Sequence, residues 1–300
     1  MWIMDMLSSP LMIRALIVAV LVGLSAPIVG TYLVQRSVAL MGDGIGHISL
    51  TGVALGWLIG SALGMDPADS LALPGAIVAS MLGAIAIELL RSKGRTGSDV
   101  ALAMLFYGGI AGGVILIRVA GGTTTNLTSY LFGSIATVSE TDVWYTIGLT
   151  AFILVVGLGL RGPLFALSYD AEFSRASGLR ISMLNITVAM LAALTVSVSM
   201  RVVGALLVSA IMIIPVAIGQ LMANSFHGTM RIAISVGVVV CVTGLVITYV
   251  VPFSPGAMIV LLAVGIYLIV TLLRPIALHM RGLRQLHAQQ APQCGEMTIK

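Results

Sequence analysis

Long apolar runs separated by short polar breaks dominate this chain. About 20 apolar residues cross a bilayer as a helix. Nine stretches meet or approach that length: 12–34, 45–63, 71–90, 100–120, 143–165, 181–200, 203–222, 231–251 and 256–273. The runs are continuous, whereas the strands of a membrane β-barrel alternate apolar and polar positions. Two of them, 45–63 and 203–222, carry enough Gly, Pro and polar residues to be short or broken. The pattern predicts an all-α, polytopic integral membrane protein of about eight or nine transmembrane helices. Residues 1–275 form one transmembrane domain and 276–300 a polar tail.

Composition agrees. The chain of 300 residues is 59% hydrophobic and 9% charged, with mean hydropathy +1.11. A soluble domain carries roughly 25% charged residues. No soluble fold of this length hides so much apolar surface. Net charge is +4, and the bases are nearly all Arg, with Lys93 and Lys300 the only lysines. They gather in a few loops and form no patch suited to nucleic acid. Cys241 lies in an apolar run and Cys294 in the polar tail, so a disulfide is not expected and no CxxC spacing exists. The first residues, MWIMDMLSSPLMIRAL, lack the basic region and small-residue site of a cleaved signal peptide.

Basic residues mark cytoplasmic loops. Arg91, Lys93 and Arg95 fall in 91–98; Arg161, Arg175 and Arg180 in 161–180; Arg274, Arg281 and Arg284 in the tail. Segments 64–70, 121–142 and 251–255 lack basic residues and read as external. Nine spans then put the N-terminus outside and the C-terminus inside. Arg14, Arg118 and Arg201 depart from the pattern and are expected to snorkel to an interface.

Within this apolar background the segment MGDGIGHISLTGVALG (41–56) stands out. Asp43 and His47 are four residues apart, so on a helix they share a face, and Thr51 extends that face by a turn. A carboxylate and an imidazole suit a borderline divalent metal such as Zn²⁺, Mn²⁺ or Fe²⁺. Ionisable groups at membrane depth are costly and commonly functional. The competing interpretation makes Asp43 a helix N-cap and His47 a hydrogen-bonded interfacial residue. The glycines at 42, 44, 46 and 52 allow a broken helix lining a cavity.

Segment 161–180, RGPLFALSYDAEFSRASGLR, is the longest charged connection. Asp170 is placed to cap a short helix with Glu172 in its first turn, and Gly178 to end it. So short a helix needs a membrane surface or a partner's groove to be stable. Tyr130 and Phe132 beside Gly133 suggest an interfacial or re-entrant piece. Pro215 interrupts 203–222 and can kink that helix. His227, His279 and His287 read as solvated surface. No P-loop, GxSxG, HExxH or CxxC motif is present, so the chain is not expected to be an enzyme.

Taken together, these residues resemble the permease subunits of bacterial metal-ion (zinc, manganese, iron) ABC importers. The resemblance covers roughly residues 10–275. It rests on MGDGIGHISLTGVALG (41–56), on DAEFSRASG (170–178), which is similar to the segment that docks on the ATPase, and on SYLFGSI (129–135) and VVGALLVSAIMIIP (202–215). Two positions depart from the family pattern: Pro215 is followed by Val-Ala-Ile-Gly rather than smaller residues, and Ser174 stands where Ala is common.

The resemblance implies a homodimer with the translocation path along the subunit interface, in a bacterial plasma membrane. It implies a cytoplasmic ABC ATPase that contacts Asp170, Glu172, Ser174, Ala176 and Gly178, and an extracytoplasmic metal-binding protein that delivers the ion. Asp43 and His47 would be metal ligands, and Thr51 and Pro215 would line the path. No tightly bound cofactor is expected; a divalent Mn, Zn or Fe ion is the cargo. The alternatives are a stand-alone metal transporter or channel, and an ABC permease for an organic ligand such as a siderophore.

Overall fold

A computed structural model describes residue 6 and residues 8–66, 69–92, 98–121, 123–135, 138–251 and 253–289. Among these residues there is no strand. The helices are α1 (Pro10–Gln35), α2 (Met41–Ala62), α3 (Ala72–Ser92), α4 (Ser98–Val119), α5 (Thr124–Phe132), α6 (Glu140–Gly159), α7 (Arg161–Tyr169), α8 (Ala171–Ala176), α9 (Ile181–Val203), α10 (Val208–Met222), α11 (Phe226–Val250) and α12 (Pro255–Gln289). Eight of them contain a stretch long and apolar enough to cross a membrane: α1–α4, α6, α9, α11 and the 255–274 part of α12.

The expected ninth span differs. Segment 203–222 yields only the 15 residues of α10, about 22 Å at 1.5 Å per residue, short of a hydrocarbon core of about 30 Å. Gly204, at φ +89°, ends α9 and starts the turn into α10. Segment 45–63 is neither short nor broken. It starts at Met41 and runs unbroken to Ala62. Helix α12 continues to Gln289, past the apolar stretch. Lys93, Arg95 and residues 290–300, with Cys294, lie outside the described residues.

Helix α9 is the central strut. Every residue from Leu191 to Val203 is buried. One side of it meets α3 and α2, which pack with α4; the other meets α1, which packs with α6, α10 and α11. Its mid-helix hydroxyls satisfy themselves: those of Thr195, Ser197 and Ser199 bond to carbonyls one turn back at 2.7–2.9 Å. Ser197 also meets Ser80 of α3 at 2.8 Å. Small residues set the closest approach between α2 and α3. A Cβ on Gly52 would overlap the Gly75 carbonyl, and one on Gly75 would overlap that of Gly52. Without a hydrophobic force between helices in lipid, such backbone approach is a main source of packing energy.

The end of α5 folds into the bundle. The amides of Ala205 and Leu206 donate to the carbonyls of Tyr130 and Leu131 at 2.9 and 3.2 Å, and the Ser254 hydroxyl donates to Phe132 O at 2.6 Å. Non-helical backbone is thereby satisfied within protein, as membrane depth requires. Gly133 sits at φ +77°, and a Cβ there would overlap the Val202 carbonyl.

Beside this knot lies Arg201, which the sequence suggested would snorkel. It is buried instead. Its guanidinium faces Asp142 at 3.5 Å and Asp69 at 3.8 Å, and stacks over the Tyr130 ring at 5.4 Å. Asp142 in turn completes a capping box with Ser139 at the start of α6. An acid from the connection before α3 and one from the first turn of α6 hold the arginine in place of a membrane surface. Arg14 pairs with Glu140 at 3.0 Å near the same end of α6.

Gly133→Ala is expected to lower stability by about 1–3 kcal/mol, through overpacking and a strained backbone, read as a fall in the detergent-solubilised unfolding temperature. Arg201→Met strands the buried Asp142 and is expected to cost about 3–5 kcal/mol in the same measurement. A variant that melts with wild type would remove the knot, or the pair, from the account of the fold.

Candidate metal path and coupling segment

The unbroken course of α2 decides where Asp43 and His47 lie. Leu40 is the N-cap and makes no side-chain bond, so Asp43 does not cap the helix; it lies inside the first turn. A carboxylate there is favoured by the helix dipole. One turn on, His47 is 2% exposed. Its ring meets the Phe106 ring of α4 edge-on, with centroids 4.1 Å apart. A further turn on, the Thr51 hydroxyl donates to Gly109 O at 2.7 Å. Gly109 has no side chain because His47 backbone occupies that space. The periodicity argument therefore holds: Asp43, His47 and Thr51 form successive turns of one face, and α4 packs along it.

The three side chains differ in state. Thr51 is engaged with backbone. Asp43 is half-buried and lies one helical turn before His47. His47 Nδ1 is buried and, among the described residues, has no hydrogen-bond partner. Buried polar atoms without partners are rare and costly, at about 1–3 kcal/mol. Among the described residues, no three His, Cys, Asp or Glu side chains come together as a metal site. One chain contributes an acid and an imidazole, and no more.

Helix α10 reaches α2 at its first turn. Ser209 and Met212 lie against Gly42, with Ser209 Cβ 3.7 Å and Met212 Sδ 3.8 Å from where a Cβ on Gly42 would stand. Pro215, one turn further along α10, is buried inside the chain. Phe106 and Ser209 were not singled out in the sequence. Phe106 precedes Gly109 by one helical turn, and that spacing is the signal that marks it as the ring beside a close helix contact.

The second candidate region is built locally. Asp170 caps α8, its Oδ1 accepting from the amides of Glu172 and Phe173 at 2.9 Å each. Glu172 sits in the first turn. Ser174 is buried and its hydroxyl returns to Asp170 O at 2.7 Å. The extra oxygen relative to Ala thus has a partner. Ala176 closes the helix, and Gly178 turns the chain out at φ +83°. Two large rings stand out into solvent beside the exposed Asp170, Glu172 and Arg175: Tyr169 is 87% and Phe173 66% exposed. Next to it, a cavity of about 390 Å³ opens between Gln35, Phe165, Tyr169 and the Ser225–His227 turn. His227 is exposed there, as the sequence suggested.

Comparison with known proteins gives this arrangement a context. Residues 8–274 match the ABC 3 transport family. The chain is 34% identical over 87% of its length, and 90% of the relative, to the manganese import system permease protein ScaB of Streptococcus parasanguinis. It is 31% identical over 84% of its length, and 82% of the relative, to the chelated iron transport system membrane protein YfeD of Yersinia pestis. Among solved structures it resembles PsaBC of Streptococcus pneumoniae in complex with Fab, with TM-score 0.78 and 33% identity over 89% of this chain and 93% of that one. An all-α bundle of eight long apolar helices, matched over residues 8–274 by the family model, makes the chain a member of the ABC 3 transport family.

Proposed function

We propose that this chain is the membrane-spanning subunit of an ATP-driven importer of divalent transition-metal ions. It works as two copies, with separate ATPase subunits on the cytoplasmic side and a metal-binding protein on the other. The observation that carries the metal assignment is the unpartnered, buried Nδ1 of His47 one turn from Asp43. A bare ion in hydrocarbon faces a Born cost on the order of 20 kcal/mol, so ligands must replace its water. Oxygen and imidazole donors suit manganese, iron and zinc alike. Manganese and iron are the ions in the names of the relatives.

Two donors from one chain make an incomplete site, and a second copy related by two-fold symmetry would make four. A site shared across a seam binds the ion and still releases it. Since Phe106 covers the His47 ring within one chain, the ring reaches the seam only if Phe106 turns aside. Asp43, nearer the cytoplasmic end of α2, is half-buried and needs no such movement. With the basic segment 161–180 in the cytoplasm, the five long helices before it put the N-terminus outside; the shortened α10, running from the contact with Leu131 to the Ser225 turn beside Tyr169, is the further crossing that puts the C-terminus inside.

The exposed Tyr169 and Phe173 on a capped two-turn element support an ATPase docking role for Asp170–Gly178. A self-powered transporter would need intramembrane acids for ion coupling; the acids of the long helices, Asp43, Glu88, Asp99, Glu140 and Asp142, all lie within five residues of a helix end. An organic-ligand permease has no use for the Asp43/His47 pair.

Asp43→Ala and His47→Ala are each expected to reduce uptake of radioactive Mn²⁺ by at least about tenfold in cells lacking other importers, at unchanged permease level. Uptake within twofold of wild type in both variants would remove the two residues from the path. Asp170→Ala loses a cap worth about 1 kcal/mol. Gly178→Val puts a β-branched residue at positive φ, at about 1–2 kcal/mol. Both are expected to weaken co-purification of the ATPase and metal-dependent hydrolysis while metal binding persists. An intact, fully active complex in both would show that docking occurs elsewhere.

A further inference from the structure

One buried acid has no part in the function described above. Glu88, near the end of α3, is 4% exposed. Its Oε1 accepts from Asn185 Nδ2 at 2.7 Å, and Asn185 Oδ1 accepts from Arg36 Nη2 at 2.6 Å. Asn185 is thus a neutral relay with both ends of its amide used. A carboxylate on one side and a guanidinium on the other fix which end points where. The relay joins three helices: Arg36 is the C-cap of α1, Glu88 belongs to α3 and Asn185 to α9.

Its place along the chain is what gives it meaning. Only Ser177 to Arg180 separate α8 from α9, and this connection is held at both ends. Leu179 N donates to Ser174 O, and Leu184 N donates to Arg180 O, each at 3.1 Å. A displacement of α8 therefore passes into the first turns of α9, where Asn185 is the polar tie to the other helices. Glu88 carries it to α3, which is locked to α2 by the Gly52–Gly75 backbone contact. Helix α2 bears Asp43 and His47. On the other side, Arg36 leads through the left-handed Ser37, at φ +55°, into the same α2. Both arms of the relay end on the helix that holds the candidate ligands.

We propose that Asn185 is a positioning residue that transmits movement of the coupling segment to the metal path, acting through Glu88 and Arg36. This rests on the assignment of Asp170–Gly178 as the ATPase contact. The buried Glu88 carboxylate has few alternative partners, so the three helix ends move as one body or the relay breaks. Leucine-like packing would hold the helices together without that all-or-none character.

The test uses the complete transporter, permease with its ATPase, reconstituted in liposomes. ATP hydrolysed and Mn²⁺ imported are measured together, with the unfolding temperature and ATPase content as controls. Asn185→Ala and the isosteric Asn185→Asp, which cannot donate to Glu88, are both expected to raise ATP consumed per ion by at least about fivefold in assembled complexes. In a Glu88→Ala background, Asn185→Ala is expected to add less than about twofold, because the two act in series. A ratio within twofold of wild type in folded Asn185 variants, or a full further effect in the Glu88→Ala background, overturns the proposal. So does loss of folded complex in both variants, which would make the relay a folding contact alone. Unchanged coupling in Asn185 variants, with Asp170→Ala still uncoupled, would sink the relay and leave the docking assignment standing.

Discussion

A lipid bilayer supplies no hydrogen bonds, and every polar group that enters it must find its partner within the protein. That constraint orders this molecule. The backbone closes on itself in long helices. Hydroxyls on the central helix α9 turn back to carbonyls one turn behind them. Where the backbone leaves helical form, at 130–133 and 204–206, it is stitched to another segment. Arg201 and Glu88, two ionisable groups deep in the bundle, are each held by partners from other helices or connections.

Against this background an exception stands out. His47 offers a ring nitrogen to nothing among the described residues, although it is nearly sealed from solvent. A purely structural histidine would be expected to have acquired a carbonyl or hydroxyl at that nitrogen, since the penalty for lacking one is a sizeable part of a marginal stability. On the reading proposed above, a transported ion is the partner that nitrogen lacks. The neighbouring Asp43 places a carboxylate one turn away. The Phe106 ring covers the imidazole edge-on within one chain.

The two regions of interest lie on different parts of the chain and are built by different means. The Asp43/His47 face depends on tertiary packing, since α4 approaches closely only because Gly109 and Gly112 lack side chains there. The Asp170–Gly178 segment is almost self-contained: a capped turn, a buried serine bonded to its own cap, and a glycine exit. Helix α9 follows it directly and runs buried through the centre, which on the proposed reading makes it the connection between the two.

Much of this was legible in the residues alone. Apolar run lengths gave the order of the long helices and eight of the nine expected spans, because hydrocarbon thickness fixes span length without reference to neighbours. Four-residue spacing put Asp43, His47 and Thr51 on one face, and cap chemistry at Asp170 and Gly178 marked the ends of α8; both depend only on local geometry. Tertiary structure decided the rest. The glycines around Asp43 hinted at a broken helix, yet they are the price of close packing in an intact one. Segment 203–222 had the composition of a span, but the turn at Gly204 and its pairing with 130–131 shortened it. Arg201 had the sequence setting of a snorkelling residue; only the convergence of Asp69 and Asp142, from segments far apart along the chain, kept it inside. Charges and close contacts between distant segments are long-range facts, and periodicity carries no information about which partner a side chain will meet.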